Sequence, residues 1–347
     1  MGSRSRKSKH NLSLLYIGIT VLALGAIAFL AHSQKKQDIQ KQTEIEQHKP
    51  VTITFVGDIM FDRGVNRSIE KNFSGDFNAL YTNASYLKDT DITFGNLEGS
   101  IGTTGRKVGS RFSFHMNPAG VVAMKVAGFD VVSFANNHVG DYAQQGFEES
   151  LTHLDENNIL YAGAGKNKAD ALTPRIITVR GMKIGFLGST DVGPTWMKAG
   201  EDRAGIITSD DPALMTAIKD ADSQVDVLVV SFHFGNEYSP ANKHQEQLAH
   251  MAIDNGADIV VGHHPHVMEK IETYKGKPIF YSLGNFIFDQ YFSPNTLQGM
   301  VTKVSIDPNT KAISYDAFVS PMNKQFIPQP LLPFKESVLI TKAFSAD

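Results

Sequence analysis

The chain contains no cysteine. Disulfide frameworks and thiolate metal sites are therefore excluded. Any metal must be held by His, Asp, Glu or Asn, a donor set suited to Mn²⁺, Fe or Zn²⁺ rather than to a structural cysteine-type zinc centre. The same absence is compatible with an extracytoplasmic chain that does without disulfides. No loop of the form G-x-x-x-x-G-K-[ST] is present to hold ATP, so nothing in the chain looks able to couple nucleotide hydrolysis to bond formation. Positive charge is not in excess either. The formal net charge is −3, and since Arg4, Arg6, Lys7 and Lys9 supply +4, the remainder sums to −7 (−3 − 4). That balance argues against a nucleic-acid-binding surface.

What is present begins with an N-terminal membrane signature. Residues 1–11 form a basic tail, and residues 12–31, Leu12 to Ala31, are apolar and uncharged. About 20 such residues at 1.5 Å rise span a hydrocarbon core of ~30 Å, and the basic flank stays inside. The alternative is a cleaved signal peptide, for which Ala26-Ile27-Ala28 and Ala31-His32-Ser33 offer small residues. The run exceeds the ~7–15 residues of an ordinary signal core, which favours a single-pass anchor with everything after it outside the cytoplasm. Residues 32–50, rich in Gln, Lys and Glu, read as an extended or frayed helical stalk.

With 347 residues, 41% of them hydrophobic, the chain can bury a sizeable core. From Val51 the pattern is α/β: short β-rich runs alternate with helical periodicity. Strands are expected at residues 51–57, 91–94, 129–134, 225–232, 257–261 and 278–283, with a hairpin of 175–179 and 182–187 turning at Arg180-Gly181. Helices are expected at 118–127, closed by Gly128, and near 143–157, 212–221 and 242–255.

The strands end on polar residues: Asp58, Glu98, Asn137 with His138, His233, His264 with His266, and Asn285. Each has an ordinary structural reading as a cap, a turn residue or a satisfied core histidine. Open α/β sheets, however, place ligand sites beyond the carboxyl ends of their strands, so one shared site explains them together. Three histidines fall within four residues at 263–266. Crowded imidazoles must stay neutral, be separated by the backbone or share a cation, and Pro265 biases His264 toward an extended conformation. A mixed Asp/Glu/Asn/His shell suits one or two divalent cations that activate water and neutralise a phosphoryl or similar oxyanion. Asp58, Glu98, Asn137, His233, His264 and His266 are the candidate ligands. His138, held by Asp141, is free to act as a general acid or to orient substrate. Arg106, Lys107 and Arg111 cluster in a Gly-rich loop, which is either ordinary solvated surface or, with Asn96 and Asn285, part of a substrate-binding lip.

The motifs Gly57-Asp58, Asn96-Leu97-Glu98-Gly99, Asn136-Asn137-His138, His233-Phe234-Gly235, Gly262-His263-His264-Pro265-His266-Val267 and Ser282-Leu283-Gly284-Asn285-Phe286 closely resemble those of the bacterial capsule-synthesis proteins of the CapA family, also called PgsA. The resemblance runs in order from about Val51 to Pro321 and includes the N-terminal anchor. It implies a membrane-attached component of the poly-γ-glutamate machinery, working with a separate ligase, with membrane subunits and with the polymer itself. The family in turn resembles calcineurin-like metallophosphoesterases, implying a four-layer α/β/β/α sandwich over residues 51–325, followed by a C-terminal segment at 326–347. On that resemblance Glu98 stands where a bridging aspartate would be. Met60 stands where the first motif usually carries a histidine, which weakens one of two metal positions unless Asp62 compensates. Two function classes follow: an accessory subunit for synthesis or export, and a metal-dependent hydrolase of a phosphoester or γ-glutamyl amide.

Overall fold

The computed structural model describes residues 48–335 continuously, together with residues 16, 24–25, 29–37, 39–41 and 339. The chain divides into two compact units, Met1–Lys49 and Pro50–Asp347. In the first, residues 29–37 and 39–41 are helical. The expected anchor at 12–31 lies largely outside the described residues, and among the described residues no helix is long and apolar enough to cross a membrane.

The second unit is built on two mixed sheets. Strands β1 (Val51–Ile59), β2 (Ile92–Leu97), β3 (Val131–Ser133) and β4 (Leu160–Ala162) run parallel in one sheet. The chain then builds the other from β5 (Arg175–Val179), β6 (Met182–Thr190), β7 (Val227–His233), β8 (Ile259–His263), β9 (Ile271–Tyr274) and β10 (Lys277–Phe280), in the order β9-β10-β8-β7-β6-β5. It returns to the first sheet with β11 (Asn285–Ile287), β12 (Gln298–Ile306), β13 (Ile313–Pro321) and β14 (Leu332–Pro333), giving the order β14-β13-β12-β1-β2-β3-β4 with β11 beside β1.

Side chains alternate with period two along the strands and so sort into cores, except that a register shift near Asp58 in β1 brings Val56 and Ile59 onto the same side. In β1, Val51, Ile53 and Phe55 meet Ile184, Phe186, Val229 and Val261 of the other sheet. Val56 and Ile59 point the opposite way, onto residues of α1 (Arg63–Phe73), α2 (Pro118–Ala127) and α3 (Ala143–Glu156). In β7, Val227 and Val229 face the inter-sheet core, while Leu228, Val230 and Phe232 face outward. After the short α4 (Lys168–Leu172), that outer layer comes from α5 (Leu214–Asp222) and α6 (Lys243–Asp254). Helix, sheet, sheet, helix is the resulting layering. At its centre Phe94 stacks on Phe186 with ring centroids 5.7 Å apart, and each such buried ring contributes ~1.5–3 kcal/mol.

The expected hairpin turns where the sequence places it, with Arg180 and Gly181 both at positive φ. Helix α2 is closed by Gly128 in the left-handed region, as glycine there permits. Helix α1 and the long antiparallel pair β12 and β13 are elements that the sequence reading does not anticipate.

Candidate metal centre

Three glycines let the backbone cross closely enough to assemble the site. A Cβ on Gly57 would stand 2.0 Å from the Gly284 carbonyl oxygen, and one on Gly262 would stand 2.0 Å from that of Tyr281. Gly284 itself adopts φ +67°, which glycine tolerates without strain. The Asp58 N–H donates to the Gly284 carbonyl at 2.8 Å. This crossing carries Asn285 out of the second sheet and sets it opposite Asp58 in the first. Asn285 thus opens β11 instead of ending a strand, a correction to the expected pattern: β10 stops at Phe280, and the crossing over Gly57 intervenes.

Asp58, Glu98, His233, His263, His264, His266, Asn96 and Asn285 are all buried. Asn96 Nδ2 donates to Asp58 Oδ1 at 2.9 Å and to Glu98 Oε2 at 3.2 Å, tying the two carboxylates together. Across the sheets, His263 Nδ1 lies 3.2 Å from Asp58 Oδ1 and His266 Nδ1 lies 3.2 Å from Asp58 Oδ2. His266 Nδ1 also faces Asn285 Oδ1 at 3.0 Å, and its Nε2 is 3.7 Å from Glu98 Oε1. Asn137 Oδ1 meets His233 Nε2 at 2.9 Å. The His233 and His264 rings are 4.8 Å apart.

His138 stands beside this cluster. Its Nδ1 is 2.7 Å from Asp141 Oδ2, and its Nε2 is 3.8 Å from Glu98 Oε1. The Asp141 carboxylate also accepts the Phe114 N–H at 2.8 Å and the Ser110 hydroxyl at 3.2 Å. Because the Val108 N–H donates to the Asp141 carbonyl at 3.0 Å, the glycine-rich loop bearing Arg106 and Arg111 is fastened to the residue that holds His138. Both arginines are exposed, Arg111 with its guanidinium 5.3 Å from the Phe112 ring centre.

The electrostatics pull these groups apart. Burial acts to raise the Asp58 carboxyl, but hydrogen bonds and charge from His263 and His266 hold it well below the usual carboxylate range. Burial pushes Glu98 well above its ordinary value, with the His266 charge opposing and that of Asp58 reinforcing the shift. It also drives His233 well below its ordinary value, aided by neighbouring His264, and takes His264 down to about 3. For His266 burial is overcome by the Glu98 and Asp58 carboxylates, and the imidazole is pushed up to about 9.

A divalent cation fits these residues. Glu98 Oε1, His233 Nδ1, His263 Nε2 and His264 Nδ1 are buried and have no hydrogen-bond partner. Leaving a buried polar atom unsatisfied costs ~1–3 kcal/mol, so each of these atoms calls for a partner, and Glu98 and His264 belong to groups close enough to share a cation. Donor atoms of Asp58, Glu98 and His266 lie within 4.8 Å of one another, as do those of Glu237, His264 and His266. Glu237 is not among the ligands expected from sequence, whereas His263, also not expected as one, stands outside both donor groups. A signal for Glu237 exists in Gly235-Asn236-Glu237, where a second polar motif follows His233 directly.

Two expectations are corrected. His264 adopts φ +99° rather than an extended conformation, and His266 adopts φ +58°, because the loop turns twice to aim both rings inward. Asp62 does not stand in at position 60: its carboxylate accepts the His115 N–H at 2.7 Å, and it belongs to neither donor group. Met60 is buried against Phe114 and Phe288, whose rings lie 4.0 Å from His138 and 4.6 Å from His266.

Residues 52–290 match the family described as bacterial capsule synthesis protein PGA_cap. The chain belongs to that family. Among its relatives, the capsule biosynthesis protein CapA of Bacillus anthracis is 32% identical over 285 residues, covering 79% of this chain and 69% of the relative. The PGA biosynthesis protein CapA of Bacillus subtilis (strain 168) is 36% identical over 244 residues, covering 69% of this chain and 64% of the relative. The PGA_cap match thus takes in every candidate ligand from Asp58 to His266. A solved phosphatase structure from Mycoplasma pneumoniae overlaps at TM-score 0.48 with 12% identity, covering 82% of this chain and 95% of that one. An overlap so low carries no reading of chemistry.

Proposed function

We propose that this protein serves extracellular poly-γ-glutamate production as a membrane-attached partner of a separate ligase, and that its buried Asp/Glu/His cluster holds one or two divalent cations on which that service depends. Residues 12–31 would be the anchor, with the second unit outside the cytoplasm and in contact with membrane subunits and polymer. The observation that carries the reading is the convergence of Asp58, Glu98 and His266 within 4.8 Å in a fully buried pocket. The membrership of the PGA_cap family supplies the capsule context.

A second reading, hydrolysis of a phosphoester or γ-glutamyl amide, is favoured by one feature: the His138–Asp141 pair at 2.7 Å. A cation held by Asp58, Glu98 and His266 would supply Lewis-acid polarisation of a phosphoryl or carbonyl oxygen. The chain's own part is then proton handling and positioning. With the Nδ1 proton of His138 directed to Asp141, Nε2, on the Glu98 side, would take a proton from the attacking water and return it to the leaving group. Asn96 and Asn285, too deep to reach substrate, orient Asp58, Glu98 and His266, as outer partners of metal ligands do. The exposed Arg106 and Arg111 would form a lip along which an anionic polymer passes.

Complementation of a strain lacking the protein separates these readings. At matched membrane abundance, Asp58→Ala and Glu98→Ala are expected to abolish polymer, and His138→Ala to abolish it only if the role is hydrolytic. Normal polymer with all three variants would leave only a scaffold, and normal polymer in the deletion strain would sink the capsule reading.

A further inference from the structure

We propose that Glu237 supplies a cation ligand in place of the one that Met60 cannot provide, so that Glu237 and His264, with His266 at the boundary, form a second divalent-cation position on the solvent side of Asp58 and Glu98. The proposal rests on the metal-centre reading above.

Position 60 is closed to a hard cation: the Met60 side chain is fully buried with Phe114 and Phe288, and its sulfur takes the Asp62 N–H at 3.1 Å. Glu237 reaches the cluster from a different loop. The donor atoms of Glu237, His264 and His266 lie within 4.8 Å of one another. His264 is 4% exposed, and its Nδ1 has no partner. Glu237 itself is exposed, so a cation there keeps open positions for water or substrate.

The two loops are held against each other deliberately. The Tyr238 N–H donates to the Pro265 carbonyl at 2.9 Å, locking the residue after Glu237 to the residue between the two histidines. Tyr238, His264 and His266 all adopt positive φ, at 58°, 99° and 58°. Side chains rarely adopt this conformation, and here the packed loops hold three of them in it side by side. The Tyr238 ring lies 6.1 Å from that of His266, and its phenol oxygen accepts the Gln290 side-chain N–H at 2.9 Å, completing the wall.

The test uses the full chain, stripped of metal and titrated with Mn²⁺, with elemental analysis for stoichiometry and electron paramagnetic resonance to detect two coupled ions. The parent is expected to bind two equivalents and to show a coupled spectrum. Glu237→Ala and His264→Ala are expected to lose the weaker step and the coupling, and Glu237→Gln to weaken that step at least tenfold. Because Glu237 is exposed, unchanged thermal unfolding of the metal-free variant would confirm an intact fold. Two equivalents with unchanged affinity in Glu237→Ala, or a single equivalent in the parent, would overturn the proposal while leaving the Asp58 site standing. No Mn²⁺ in the parent would overturn the metal-centre reading as well.

Discussion

Proton competition at His266 gives the metal-centre reading a quantitative consequence. In the metal-free site His266 is pushed up to about 9 by the carboxylates of Glu98 and Asp58 against the effect of burial, so at pH 7 roughly 99% of it carries a proton. A cation can take an imidazole nitrogen only after that proton leaves. His264, near 3, and His233, well below its ordinary value, are already neutral, and Asp58, held low by its histidine partners, is already ionised. None of those three releases a proton. Glu98, raised by burial, contributes between none and one. Binding at Asp58, Glu98 and His266 should therefore release one to two protons, so affinity there rises about 10- to 100-fold per pH unit from pH 6 to 8 and levels off above about 9. The sign for stability runs the same way. A pKa raised on folding stabilises the metal-free protein below the unfolded value of 6.5, and that contribution fades as pH climbs through about 9. Calorimetric titration with Mn²⁺ in buffers of different ionisation enthalpy counts the protons directly. His266→Gln should remove one of them. A flat affinity between pH 6 and 8, with no proton release, would refute the reasoning.

Two further outcomes are expected. Gly57→Ala places a methyl group 2.0 Å from the Gly284 carbonyl oxygen and threatens the 2.8 Å bond from the Asp58 N–H. Overpacking of ~1–3 kcal/mol and a lost hydrogen bond of ~0.5–1.5 kcal/mol should lower Tm by roughly 2–7 °C, and an unchanged Tm in calorimetry would contradict the crossing geometry. If residues 12–31 anchor the chain with the second unit outside, protease added to wall-stripped cells should degrade that unit, and full protection would reverse the topology.

Much of the fold was legible because its strands obey a simple period. Val51, Ile53 and Phe55 alternate with residues of the other face, and Val227 and Val229 do the same in β7. Caps were legible for the same local reason: Asn242 accepts from the His244 and Gln245 N–H groups and begins α6 where the sequence places a helix start. Helix α1 was not, since in RGVNRSIEKNF only Val65 and Ile69 are buried and, apart from Gly64 and the partly buried Phe73, the rest is polar. At the site, residues that follow a strand's end in sequence were readable. Glu237 also follows a strand's end, but its place beside His264 depends on the Tyr238 contact with Pro265, a pairing of loops that sequence does not disclose. His263 reads from spacing as a bystander, yet its ring lies 3.2 Å from Asp58 and 6.1 Å from Phe94, beneath the carboxylate. Which of three adjacent histidines points where is decided by the positive φ of His264 and His266, a property of the loop and not of composition.

Anomalous diffraction from crystals of the full chain grown with Mn²⁺ tests the central claim most directly. The account predicts a manganese peak bonded to Asp58, Glu98 and His266, absent from crystals of Asp58→Ala. Well-ordered crystals with no peak at those side chains, or with a peak only elsewhere, would contradict it.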